Sequence, residues 1–105
     1  MYPVLYNCRV KTIYTTERFD TWFASLRDQQ ACARIKMRIR RAEDGNFGDC
    51  KPVSDGVSEM RIHYGPGYRV YFVERRDGIV ILLAGGDKST QSKDIETALN
   101  LVREL

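Results

Sequence analysis

Two short stretches carry the side chains able to do chemistry. Ser58-Glu59-Met60-Arg61-Ile62-His63-Tyr64 and Tyr68-Arg69-Val70-Tyr71-Phe72 both alternate apolar and polar residues and are joined by Gly65-Pro66-Gly67. That pattern predicts a β-hairpin. If Tyr64 and Tyr68 close a three-residue loop, His63 lies opposite Arg69 and Arg61 opposite Tyr71, all four on one face. Met60, Ile62, Tyr64, Tyr68, Val70 and Phe72 share the other face and suit a core. Two readings of the polar face stay open. It is either a solvated surface on which Glu59 pairs with an arginine, or a basic surface that holds phosphate. Arginine forks match phosphate oxygens, and a tyrosine can stack on a base or pass a proton. On either reading Arg61 and Arg69 point outward, so truncating them should spare the fold. His63, the only histidine, is a strand residue beside a turn or an acid/base group.

Other segments offer less. Ala84-Gly85-Gly86-Asp87-Lys88-Ser89-Thr90 follows an apolar run, but its glycine spacing does not make a phosphate loop. What remains is two glycines that release the strand and Lys88 near a helix start, where a phosphate can be met. Lys51 lies in the loop before the hairpin. Arg34, Arg38 and Arg41 share one side of a helix, as either a solvated face or a docking surface for RNA or an acidic partner.

The elements that must position these groups follow from periodicity. Residues 9–15 read as a first strand, and Thr15 or Thr16 then caps a helix with Phe19, Trp22, Phe23 and Leu26 on its apolar face. Asp28 interrupts, and Ala31, Ile35, Ile39 and Ala42 mark a second helix, which should form an antiparallel hairpin with the first. Gly45-Asn46-Phe47-Gly48-Asp49 is a loop, and Asp77-Gly78 turns the chain into the apolar strand 79–84. Ser89 or Thr90 caps a last helix with Ile95, Leu99 and Val102 in a stripe. The expected order is β-α-α-β-β-β-α, an α+β domain spanning residues 1–105.

Composition agrees. The chain has 105 residues, 43% hydrophobic and 30% charged, enough for a single folded domain. A net charge of +3 and a pI near 8.9 permit an anionic partner without requiring one. No apolar run reaches the ~18 residues of a membrane span. The start Met1-Tyr2-Pro3-Val4-Leu5 lacks the regions of a signal peptide. Cys8, Cys32 and Cys50 form no C-x-x-C pair, so neither a zinc site nor a disulfide framework is expected, and a reducing cytoplasm fits. No metal or cofactor is expected.

Several linked motifs resemble the RelE/ParE toxin superfamily. They are Gly45 to Lys51 (GNFGDCK), Gly56 to Ile62 (GVSEMRI), Tyr64 to Phe72 (YGPGYRVYF), Gly85 to Gln91 (GGDKSTQ) and Lys93-Asp94-Ile95. Within it they are most similar to the HigB-like "addiction module killer protein" branch, related to a phage Gp49-like protein. The resemblance covers about Thr16 to the C-terminus. It implies a RelE-like fold, a compact antiparallel sheet packed against a helical hairpin. It also implies a toxin of a bacterial type II toxin–antitoxin system, a metal-independent endoribonuclease that cleaves mRNA on the ribosome and so inhibits translation. Its partners would be mRNA, the ribosome and a cognate helix-turn-helix antitoxin from the same operon, with no membrane involved. Arg61 matches the arginine of the family's E-L-R strand motif, Arg69 that of Y-R-V, and Lys88 its basic residue after the last strand. Catalysis is thus assigned to Arg61, Arg69, Tyr71 and Lys88, and substrate binding to Lys51 and His63. RelE itself has a catalytic tyrosine near its C-terminus that the last helix here lacks, so Tyr71 or His63 would serve, or positioning alone. The alternatives are a ParE-like gyrase-inhibiting toxin without ribonuclease activity, or a non-catalytic RNA- or protein-binding module.

Overall fold

The computed structural model describes residues 11–105; residues 9 and 10, the start of the chain and Cys8 lie outside the described residues. In chain order the elements are β1 (Thr12–Thr15), α1 (Glu17–Ser25), α2 (Gln29–Glu43), β2 (Cys50–Ser54), β3 (Val57–Ile62), β4 (Tyr68–Glu74), β5 (Ile79–Gly86) and α3 (Gln91–Arg103). The strands form one mixed sheet in the order β1-β5-β4-β3-β2. The α+β fold is that expected from the resemblance, with two additions.

The first addition is β2. Asp55 and Gly56, both at positive φ, make a tight turn that folds β2 back on β3. Pro52 breaks the apolar alternation of this segment, and as an edge strand β2 tolerates the missing donor. The second is the direction of β1, which pairs parallel with β5 (Thr12↔Ile79 through Thr15↔Leu82) while every other pair is antiparallel.

The helices start where capping chemistry directs. Thr16 Oγ1 accepts from Phe19 N (3.1 Å) and donates to Leu83 O (2.6 Å), fastening the start of α1 to β5. Asp28 Oδ1 accepts from the Gln30 and Ala31 amides and opens α2. At α3 Thr90, one of the two residues expected, stands at the N-cap, though its hydroxyl makes no capping bond; Asp87 accepts the Ser89 amide and caps a short 3-10 turn (Lys88–Thr90) that leads into the helix.

The sheet is buried on both faces. Phe19, Ile35, Met60, Ile62, Val70, Phe72, Val80 and Leu82 form the larger core beneath α1 and α2. Val57, Tyr71, Val73, Leu83 and Ala98 form a smaller one beneath α3, with Ile95, Leu99 and Val102 packed against it as the stripe predicted. A bulge in β5 sets both Leu83 and Ala84 against Tyr71. The two glycines after it do not release the strand; they are part of it, paired with Arg69 and Val70. Bare backbone is needed there because a Cβ on Gly85 would enter the Trp22 ring, and one on Gly86 would strike Asp94 and Thr90.

Candidate functional site

The hairpin closes two residues earlier than loop length suggested. Ile62↔Tyr68 is the last pair and residues 63–67 form the loop, with Gly65 and Gly67 at positive φ. Arg61 therefore faces Arg69 and Glu59 faces Tyr71, instead of Arg61 facing Tyr71 and His63 facing Arg69. A slip of two residues exchanges partners yet preserves faces, so Arg61, Arg69 and Tyr71 stay on one side, while His63 passes into the loop. Two rows result, Arg61–Arg69–Gly86 and Lys51–Glu59–Tyr71–Ala84. Like charges directly opposite each other repel, and each arginine here has its own carboxylate.

Arg69 Nη1 donates to Glu59 Oε1 at 2.9 Å; the two side chains are 13% and 1% exposed. Glu59 also accepts from Tyr71 OH (3.1 Å) and from Gln91 Nε2 (2.8 Å) at the start of α3. Tyr71 is fully buried. Burial first, then the charge of Glu59 and its hydrogen bond, hold the Tyr71 phenol well above the ordinary tyrosine range. The expectation of an outward Tyr71 that stacks on a base or passes a proton is overturned, because α3 packs over the sheet face that carries it. The expectation that Arg69 is simply outward is corrected for the same reason: the side chain is mostly buried against Glu59.

Arg61 stays more open, at 34% side-chain exposure, and its Nη2 donates to Asp49 Oδ1 at 2.9 Å. The other oxygen of Asp49 receives Nε2 of His63, whose side chain is 75% exposed. Hydrogen bonds from His63 first and Arg61 second hold the Asp49 carboxyl below the usual carboxylate range, so it is ionised at neutral pH. The loop that brings Asp49 here is gripped by Arg38, which donates to the carbonyls of Arg61 (2.6 Å), Phe47 (3.0 Å) and Asp49 (3.2 Å). Of the arginine stripe on α2, Arg38 is thus a structural clamp. Arg34 lies over the Tyr64 ring at 4.7 Å, and Arg41 is exposed.

Lys51 is exposed and stands beside Glu59 across β2–β3. Lys88 is exposed on the turn after β5; its amide reaches Pro66 O, and its Cβ adjoins Gly67 of the hairpin loop. The structure joins Arg61 and His63 through Asp49, sets Lys51 beside Glu59 and Lys88 beside the hairpin loop, and leaves Arg69 mostly covered and Tyr71 buried. Asp49 and Gln91 went unnoticed in the sequence. The signal for Asp49 was the Asp55-Gly56 turn, since pairing β2 with β3 from that turn sets residue 49 beside residue 61. Among the described residues, no three His, Cys, Asp or Glu gather as a metal would require, and no helix is long and apolar enough to cross a membrane.

Comparison with known sequences identifies the family. An uncharacterized protein of Haemophilus influenzae is 53% identical over 93 residues, covering 89% of this chain and 94% of its own length. The profile of the family described as "Phage derived protein Gp49-like (DUF891)" matches residues 21–103, from Thr21 in α1 to the end of α3. The match takes in both carboxylate-bound arginines and the basic residues around them. The chain belongs to the Gp49-like phage-derived family, within the RelE/HigB-type toxin superfamily.

Proposed function

We propose that this protein is the toxin of a toxin–antitoxin pair and acts as an endoribonuclease on mRNA, with translation as the process it stops. The observation that carries the reading is the half-open Arg61 guanidinium, linked through Asp49 to the exposed His63 and on the same strand face as the exposed Lys51. Membership in the toxin superfamily supports it.

In the reaction the ribose 2′-oxygen attacks its own phosphate. The O2′–P bond forms and the P–O5′ bond breaks, leaving a 2′,3′-cyclic phosphate and a 5′-hydroxyl. Arg61 stabilises the charge that builds on the phosphoryl oxygens, a contribution of about 10²–10³-fold for one such donor. Arg69, fixed by Glu59, adds its field from beneath. Lys51 and Lys88 hold the phosphates on either side. The antitoxin is an acidic protein, and the exposed Arg41 together with Arg34 offers it a cationic helix face.

The test is end mapping of RNA from cells expressing the toxin, with Arg61→Ala as control. Downstream fragments with 5′-hydroxyl ends, absent from the Arg61→Ala strain, are expected. Fragments with 5′-phosphates would refute the 2′-oxygen route. Intact mRNA beside supercoiling-defective DNA would replace the reading with a gyrase-directed one. Co-expression of the adjacent-gene protein should restore growth.

A further inference from the structure

The Asp49–His63 contact has no part in the fold's core, yet its geometry is closely held. Arg38 fixes the backbone of the Asp49 loop, and the Arg61 amide donates to Asp49 O at 2.9 Å. With one carboxylate oxygen on Arg61 and the other on His63, the aspartate has no rotational freedom left.

We propose that His63 is the general base of the reaction and that Asp49 is the residue that positions it; the assignment rests on the ribonuclease reading above. An ionised carboxylate only accepts hydrogen bonds, so Nε2 of His63 must be the nitrogen that carries the proton. In the neutral imidazole this leaves the lone pair on Nδ1, which makes no hydrogen bond among the described residues. The side chain is exposed, and a substrate hydroxyl can reach it. Nδ1 takes the proton from the 2′-hydroxyl as O2′ bonds to phosphorus. The departing 5′-oxygen takes a proton from water, and the imidazolium returns its own to solvent. The role expected of Tyr71 passes to a group that the substrate can touch.

The charged groups facing His63 are Asp49 from the loop before β2, Arg61 from β3, and Arg34, Arg38 and Arg41 from α2. The three α2 arginines line, with His63, one cleft of about 520 Å³. Asp49 is the one acceptor among them. With Arg61 still on its other oxygen, an asparagine at 49 turns its NH2 toward His63 and favours the proton on Nδ1.

The experiment measures cleavage of an oligoribonucleotide, or of mRNA on programmed ribosomes, against pH for the wild type, His63→Gln and Asp49→Asn. His63→Gln should cut about 100-fold more slowly and lose the acid limb of the profile. Asp49→Asn should be about 10-fold slower. Without RNA, nitrogen NMR of the single histidine should find the proton on Nε2 in the wild type and moved toward Nδ1 in Asp49→Asn. A His63→Gln protein within twofold of wild type overturns the base assignment, and an Asp49→Asn imidazole that keeps the wild-type tautomer overturns the positioning role. Wild-type protein that cuts no RNA while its imidazole holds the proton on Nε2 refutes the ribonuclease reading, and the base role with it, but not the Asp49–His63 coupling.

Discussion

Removing Arg69 should unfold part of what it was expected merely to decorate. Arg69→Ala deletes the cation bound to Glu59, a carboxylate 1% exposed, and among the described residues leaves it the Tyr71 hydroxyl and the Gln91 amide. Breaking a buried pair from one side costs about 3–5 kcal/mol. Two surviving neutral donors and the 13% exposure of Arg69 place this case at the lower end, about 3 kcal/mol. That is a large share of the ~5–15 kcal/mol that holds a domain of this kind. With a urea slope near 1.5 kcal/mol per M, the unfolding midpoint should fall by about 2 M. The double variant Arg69→Met/Glu59→Gln removes both charges, keeps an acceptor for Tyr71, and should recover about 2 kcal/mol of the loss. Urea unfolding followed by circular dichroism reads all three proteins. An Arg69→Ala protein within about 0.5 kcal/mol of wild type, or a double variant no more stable than the single, would refute the reasoning. Toxicity lost in Arg69→Ala alone carries no information about catalysis, whereas loss in Arg61→Ala does.

Alkali should weaken the fold through its tyrosines. The phenols of Tyr71, by burial, Tyr64, by its hydrogen bond to Asp28, and Tyr68, by burial, all lie above the ordinary value in the folded state. Their contribution is complete below about pH 10 and is lost as the pH rises past it. Urea midpoints at pH 8 and pH 11 should differ in that direction, and phenolate absorbance should lag behind that of the unfolded chain. Gly85→Ala forces a methyl into the Trp22 ring and should destabilise by about 2 kcal/mol. Fluorescence of the single tryptophan should shift to the red in that variant, and an unchanged spectrum and melt would count against the close approach. RNA cleavage on a ribosome-free substrate should persist in chelator, and a rate restored only by added divalent metal would contradict the scheme.

The helices and the strand meander were legible because their periods are clear, 3.6 along Phe19, Trp22, Phe23 and Leu26 and two along β3 and β4. The face of each hairpin side chain was legible too, since alternation survives an even slip. What covers that face was not. Strand alternation tells which residues share a side, not whether a helix 20 residues on returns to it. The clue was distributed: Val57, Val73 and Leu83 are apolar on the nominally polar face, and the Ile95/Leu99/Val102 stripe needed a surface. Taken together they bury Tyr71 and Glu59. Asp49 was hidden because its partners lie 12 and 14 residues away, through a strand that Pro52 disguised.

The parallel pairing of β1 with β5 has a consequence for how the chain folds. β2 through β5 form a meander of neighbours, joined by short turns, and every residue proposed for the site lies between Asp49 and Gln91. β1 must find a partner 67 residues away, a closure that costs about 3–4 kcal/mol of chain entropy. The meander therefore assembles first and the edge of β5 waits. While it waits, Ile79–Gly86 presents an apolar strand with unpaired backbone to any other nascent copy. Refolding at high protein concentration should lose yield at this step, and the strand that arrives last is the one that protects the protein from its own kind.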